Sequence, residues 1–416
     1  MPPAEPPGVP PMPVRPAWQL LLAAAGVFAL TMGIRNTMGV YLSPLQSGTG
    51  LPVASISLAF AAGQLCWGLS QPIAGAIADR VGTGRVVCVG IVLLVIGTLI
   101  TPWMTSTAGL VVSIGVLAAG GAGMAGPSVL MAAGARLVRP GQRGLATGFV
   151  NAGGSLGQLV MAPAAIALTA TQGWALSLQY LGLLALLGLP AIAVLKGHNA
   201  GTAGKAQTAP PGAADTLPLR QALARALATP SYRFLALGFM VCGFHVAFLA
   251  THLPGVVEHC GMPPAVAGGA LALLGLFNIV GSLAIGCAIG RWRMKSLLAG
   301  IYMARGGAVV LFLLAPKTPS VMLVFAAVMG MTFLSTVPPT AGLVARMFGP
   351  SNLAMLFGLL MLAHQVGGFL GAWLGGQALQ RTGSYDAVWY LDVTLAAVAA
   401  LLHLPIRESA AQPSPA

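Results

Sequence analysis

Gly75-Ala-Ile-Ala-Asp79-Arg80-Val-Gly82-Thr-Gly-Arg85 is a short charged turn between two long apolar runs. At an offset of 211 positions the chain has Gly286-Cys-Ala-Ile-Gly290-Arg291-Trp-Arg293-Met-Lys295, again between apolar runs. A second echo lies nearby: Gly153-Gly154-Ser-Leu-Gly157 recurs as Gly367-Gly368-Phe-Leu-Gly371, offset by 214. Two echoes at nearly one offset point to a duplicated unit. The glycines also have a packing role, because small residues let helices approach closely in lipid.

Working outward, 57% of the 416 residues are hydrophobic and 6% are charged. Soluble domains carry about 25% charged residues, so this chain has too few to cover a water-facing surface. Apolar runs of span length fall at 18–42, 53–78, 86–103, 108–135, 144–169, 174–195, 233–257, 263–290, 296–315, 320–345, 353–377 and 386–405. The expectation is an all-α membrane protein of twelve spans in two pseudo-symmetric six-helix bundles, 17–195 and 231–406. A Pro-rich tail (1–16), a polar linker (196–230) and a short tail (407–416) complete it. The start of the chain does not read as a signal peptide, because its first apolar run is of full span length.

With both termini placed in the cytoplasm, 16 of the 20 Lys and Arg fall on that side, and only Lys317 and Arg381 fall in outer loops. That asymmetry sets the expected orientation. It also accounts for the net charge of +13 without a nucleic-acid partner. The five cysteines, Cys66, Cys88, Cys242, Cys260 and Cys287, are dispersed and odd in number. They match neither a disulfide framework nor a metal site. No phosphate-binding loop, Gly-x-Ser-x-Gly elbow or His-Glu-x-x-His is present, so no enzyme, cofactor or directly ATP-driven pump is expected.

A Gly-xxx-Asp-Arg turn with a degraded copy in the second half resembles the loop between the second and third helices of the major facilitator superfamily of membrane transporters. Arg143-Gly-Leu145-Ala146-Thr-Gly148 through Gly157, with Pro163 following, is similar to the fifth-helix signature of the monocarboxylate porter family. Gly33-Ile-Arg35-Asn36-Thr-Met-Gly39-Val-Tyr41 is similar to that family's first-helix segment. The stretches 242–254, 337–342 and 364–373 resemble its bacterial members. The acidic, Trp-containing opening and the span 8 Asp-x-x-x-Arg pair of animal members are absent, so proton coupling is not carried over by these motifs. The resemblance implies a substrate site near the midplane between halves, spans 1, 4, 7 and 10 lining it, a monomer, and a bacterial inner-membrane location.

Arg35 lies well inside span 1, where a charge costs roughly 2.5–3.5 kcal/mol on insertion scales. Few carboxylates lie at membrane depth, and a guanidinium holds a carboxylate with two parallel charged hydrogen bonds. An anionic substrate is therefore the expected partner; pairing with Glu258, or snorkelling outward, is the alternative. The residues expected to bind substrate are Arg35, Asn36, Asn151, His245, Asn278, His364 and Gln365. Proton coupling needs a group titrating near neutrality, which makes His245, His364 and Asp392 the candidates. Arg305 falls on a supporting span and is expected to form a buried structural pair, Asp392 being one partner, or to mark a cytoplasmic extension of the span. By the family resemblance, Asp79, Arg80, Arg85 and Arg143 form a conformational clamp. Pro127 and Pro338-Pro339, in spans expected to line the cavity, mark either bends at a hinge or packing positions. The expected function is secondary active transport of a small organic anion, a monocarboxylate, with a proton. A proton-driven exporter of apolar drugs and a non-transporting sensor are the alternatives.

Overall fold

The computed structural model describes residues 17–136, 143–196, 219–349 and 353–408. The Pro-rich tail 1–16, residues 197–218 of the polar stretch and residues 409–416 lie outside the described residues. Twelve helices are long and apolar enough to cross a membrane. Spans 1–6 are Trp18–Thr49, Val53–Ala78, Thr83–Trp103, Thr107–Ala135, Ala146–Gln172 and Trp174–Ile192. Spans 7–12 are Pro230–His259, Pro264–Ala288, Met294–Leu314, Pro319–Phe348, Met355–Thr382 and Asp386–His403. No strand occurs among the described residues. The last part of the stretch read as polar linker is a short helix, Leu219–Ala228, whose Ala226 is buried beside Tyr232 and Leu235.

The opening turn has a single-residue cause. Gly82 sits at φ 96°, in the region that L side chains rarely adopt. The chain can therefore leave span 2 and enter span 3 at Thr83 within one residue.

Two spans are broken by proline. Span 10 stops at Thr332 and restarts at Val337. Pro338 and Pro339 have no N–H to return to the carbonyls four residues earlier, and proline is favoured in the first turn of a new helix. Span 4 breaks at Ala125-Gly126 and restarts at Pro127. Pro127 and Pro338, at these restarts, are 211 positions apart, the offset of the charged turns. Thr31 of span 1 donates to the Ala125 carbonyl at 3.2 Å. Cys242 of span 7 contacts the Thr336 hydroxyl at 3.1 Å. Thr31 and Cys242 are themselves 211 positions apart, as are Ala125 and Thr336.

The repeated Gly-Gly-x-x-Gly segments are close packing points within each half. A Cβ at Gly153 or Gly157 would strike the carbonyls of Ala25 and Ala29 in span 1. A Cβ at Gly367 or Gly371 would strike those of Met240 and Phe244 in span 7.

The halves meet along spans 2 and 11 and along spans 5 and 8. Gln380 Oε1 accepts from Ala54 N–H at 3.0 Å, and Gly376 packs on Ser57, Gly368 on Gln64 and Gly68 on Gln365. Gly268 and Gly275 pack on Pro163 and Ser155. Beyond that depth, toward the end carrying Arg80, Arg85, Arg291 and Arg293 (the basic face), the seams part. A Cβ at Gly75, Gly148, Gly286 or Gly358 meets nothing within 4 Å. At the opposite face Gly39 abuts the Ala250 and Thr251 carbonyls, and Ser43 donates to Glu258. The halves are thus in contact at the face opposite the basic one, whereas these glycines near the basic face have no neighbour across the seam.

Replacing Gly157 or Gly371 by Val is expected to cost about 1–3 kcal/mol through overpacking. Gly148→Ala, at a site with free space, should stay within about 0.5 kcal/mol of the parent. Thermal unfolding of the detergent-purified protein, followed by tryptophan fluorescence, would separate the two classes.

Candidate functional site

The functional side chains fall into two clusters, one in each half. In the first, Arg35 is part-buried and borders a small cavity of about 40 Å³ with Asn36, Phe60, Gln64, Ile114 and Thr251 among its walls. Its Nη2 donates to Gln64 Oε1, and Nη1 donates to Asn36 Oδ1 at 3.3 Å. The guanidinium lies 4.4 Å from the centroid of the Trp67 ring. Asn36 Nδ2 donates in turn to Gln158 Oε1 at 3.1 Å. Two buried donors beside this chain, Trp67 Nε1 and Gln158 Nε2, have no partner.

Every group that touches Arg35 is neutral. Amide oxygens and a ring face support a cation without cancelling its charge. Among the described residues no carboxylate pairs with Arg35. Glu258, the protein partner considered from sequence, is exposed and accepts from Ser43 instead. The cluster therefore presents one net positive charge and two unsatisfied N–H donors.

The second cluster is fully buried. His245 Nε2 lies 3.3 Å from Asp392 Oδ1 and 3.2 Å from the Asp392 backbone carbonyl. Each residue is 1% exposed. Neither Asp392 carboxylate oxygen has a hydrogen-bond partner, nor has His245 Nδ1. Arg305, also 1% exposed, differs from the sequence reading. It is neither paired with Asp392 nor part of an extension of the span. Its Nη2 donates to the carbonyls of Thr332 and Phe333, the latter at 2.7 Å, which are the groups freed by the break in span 10. Its Nη1 is unpartnered.

The remaining expected residues divide as follows. Asn278 is buried and committed on both sides: Nδ2 donates to Ser155 Oγ at 2.9 Å, across the seam between halves, and Oδ1 accepts from Leu334 N–H at 3.0 Å. His364 stacks 4.9 Å from Phe239, with Nδ1 3.3 Å from Gln365 Nε2. His364 Nε2 and Gln365 Oε1 are buried without partners. Gln365 packs on Gly68, the neighbour of Trp67, and so stands between the two clusters. Asn151 is part-buried on span 5 and does not line the cavity. His252, on the same face as His245, is satisfied by the Ala372 carbonyl at 2.7 Å. In the basic turn Arg80 is exposed and Arg85 donates to the Val81 carbonyl at 3.4 Å. The side chains of Asp79 and Arg143 lie outside those described.

Gln64 and Trp67 were not singled out from the sequence. Their signal was available: a lone polar residue in an apolar span, with an aromatic three positions on, shares a helix face.

A family model described as the Major Facilitator Superfamily matches residues 23–316 and 235–416. Monocarboxylate transporter 13 of Bos taurus is 24% identical over 374 residues, covering 89% of this chain and 84% of that protein. The oxalate:formate antiporter of Oxalobacter formigenes is 26% identical over 167 residues, or 40% of this chain and 39% of that protein. In fold, the chain is similar to the inward open conformation of the xylose transporter XylE from E. coli. The TM-score is 0.71 at 12% identity, with 94% of this chain and 96% of that one covered.

Asn278→Leu should destabilise the protein more than Ser155→Ala does, because it orphans the Leu334 N–H as well as the Ser155 hydroxyl. A buried orphan costs about 1–3 kcal/mol. Equal melting temperatures for the two variants would show that the bridge to span 10 contributes nothing.

Proposed function

We propose that this chain, which belongs to the Major Facilitator Superfamily, carries a small organic anion, a monocarboxylate, together with a proton across a bacterial inner membrane, with both termini in the cytoplasm. It is a multi-pass transport protein, not an enzyme. The observation that carries the substrate reading is Arg35: a cation at membrane depth whose contacts are all neutral. A charge so placed is expensive unless something compensates it, and a carboxylate can take the guanidinium by displacing Gln64 or Asn36. The unpartnered Trp67 and Gln158 N–H groups add donors of the sign an anion needs. Similarity to a monocarboxylate transporter along 89% of the chain supports the same class.

In this reading Arg35 and Asn36 hold the carboxylate, and Gln365 and His364 face it from the other half. Asn278 and Asn151 belong to the supporting framework. His245, His364 and Asp392 are the candidates for the travelling proton. Transport proceeds by rocking of the two halves: the seams that part at the basic face would close there and open at the other. Asp79, Arg80, Arg85 and Arg143 would clamp the basic face in the alternate state. The similarity to an oxalate:formate antiporter favours a second reading, exchange of one anion for another without a proton.

Uptake of labelled small carboxylates into proteoliposomes, with and without an inward proton gradient, tests these readings. Stimulation by the gradient supports symport; counterflow indifferent to the gradient supports exchange. Arg35→Ala should weaken substrate binding by about 2–5 kcal/mol, roughly 30-fold or more, with Arg35→Lys intermediate because it keeps the charge but loses the bidentate fork. Full substrate affinity in Arg35→Ala would remove Arg35 from the site.

A further inference from the structure

The break in span 10 is built differently from the break in span 4. In the first half, the freed Ala125 carbonyl is met by a threonine hydroxyl. In the second half, Cys242 takes the threonine's place, and a guanidinium is added, donating to the Thr332 and Phe333 carbonyls. At the 211 offset the counterparts of Arg305 and His245 are Leu94 and Ile34, and at the 214 offset that holds from span 5 onward the counterpart of Asp392 is Leu178. All three are buried apolar residues, each 1% exposed or less. The fold therefore closes around these positions with leucine and isoleucine. The three ionisable groups are an addition that the helical scaffold does not require.

Their geometry leaves specific atoms unused. Arg305 Nη1, His245 Nδ1 and both Asp392 carboxylate oxygens are buried without a hydrogen-bond partner. Arg305 lies within electrostatic reach of both His245 and Asp392. Of the titratable groups nearby, the Tyr302 ring lies 6.4 Å from that of His245, His403 stacks on Tyr302, and Cys242 and His364 neighbour Arg305 rather than the pair. Among these described residues Arg305 is the fixed cation.

We propose that Arg305 is a positioning residue that couples the proton on the His245–Asp392 pair to the hinge in span 10. With a proton on the pair, Asp392 is neutral or balanced by His245, and Arg305 stays on the Thr332 and Phe333 carbonyls, holding the break as it stands. When the proton leaves to water, Asp392 becomes a buried, uncompensated carboxylate, and such a charge demands a partner. Arg305 Nη1 is the unpartnered donor of the same buried cluster. Turning to Asp392 draws the guanidinium off the carbonyls and frees the inner half-helix Val337–Phe348 to pivot. That half-helix reaches the basic face, where Arg346 is paired with Glu408 at 3.0 Å, on the side where the halves part. Arg305 never touches substrate; it changes which state of the halves is favoured. The bias is thermodynamic, because a ligand, here a proton, shifts a two-state equilibrium only by its differential affinity for the two states.

This inference rests on the proton-coupled reading above but not on the identity of the substrate, so the test uses none. Gly148 and Gly286, on opposite halves with free space around them, take spin labels as cysteines. The five native cysteines are replaced by serine, with Cys242→Ser keeping a hydroxyl where the first half has Thr31. Electron–electron distance distributions are recorded in lipid nanodiscs between about pH 5.5 and about pH 8, the window in which histidine-linked sites change charge. The parent is expected to redistribute between a long and a short distance by about fivefold or more in population ratio. Arg305→Gln and Asp392→Asn should each abolish that redistribution, Arg305→Lys should retain part of it, and Arg35→Ala should leave it intact. A full redistribution in Arg305→Gln overturns the proposal. Should that variant not fold, a redistribution surviving in Asp392→Asn overturns it equally. Redistribution in the parent without carboxylate uptake would sink the substrate reading and leave this one standing. Gradient-driven uptake without redistribution would do the reverse.

Discussion

A backbone carbonyl at membrane depth has no water to turn to, and each one left unsatisfied costs several kcal/mol. Much of this architecture follows from that constraint. Breaks in spans 4 and 10, each followed by proline at 127 or at 338–339, leave carbonyls free inside the membrane-length helices. Each freed group then specifies what its neighbours must be. A hydroxyl on span 1 meets the first break. A thiol on span 7 and a guanidinium on span 9 meet the second, with a side-chain amide on span 8 accepting from the Leu334 N–H of the same break. Because the span 8 amide also reaches Ser155 on the opposite half, a local defect in one helix is tied to the seam on which the halves turn.

The duplication lets fold be separated from function. Features kept at the offset are structural: the proline restarts, the donors on spans 1 and 7, and the glycines that let spans 5 and 11 lie against neighbouring backbones. Features not kept are the charges inside the spans. Arg35 has Val246 as its counterpart, and Arg305, His245 and Asp392 have Leu94, Ile34 and Leu178. A scaffold that closes equally well around aliphatic side chains has no structural need of ions there. Inside a membrane an ion without a structural need is the strongest pointer to a pathway or a relay.

The architecture was legible because length and hydropathy act over twenty residues at a time. The twelve expected spans and the twelve observed helices differ mainly at their ends, by up to about seven residues, since apolar runs mark the hydrocarbon zone while helices continue past it. The isolation of Arg35 from any carboxylate was also legible, because only seven acidic residues exist in the chain and most fall in tails and turns. What surrounds Arg35 was not. Gln64 and Trp67 reach it from span 2 and Gln158 of span 5 holds its neighbour Asn36, and one-dimensional spacing does not say which faces of separate helices meet. Arg305 was harder still. Its acceptors are main-chain carbonyls, which every residue carries, so no side-chain pattern announces them. A carboxylate partner was the natural expectation for a buried arginine, and Asp392 was the carboxylate at hand. The fold places that carboxylate on His245 and gives the arginine to the broken helix.

The two clusters are complementary in sign. The first half holds a cation that lacks an anion, and the second holds a carboxylate whose oxygens lack donors. On the proposed reading, each transported species neutralises one of them: the substrate carboxylate answers Arg35, and the proton answers Asp392 with His245. Without substrate Arg35 stays an uncompensated buried cation, and desolvated charge is what a closed intermediate tolerates least. Without the proton Asp392 draws Arg305 off the span 10 carbonyls, so a carrier that closes only with Arg35 compensated and that hinge held moves both species or neither. Coupling would then need no direct contact between proton and substrate, only a shared closure step, and Gln365, packed beside Trp67 and bonded to His364, stands where the two halves of that step meet.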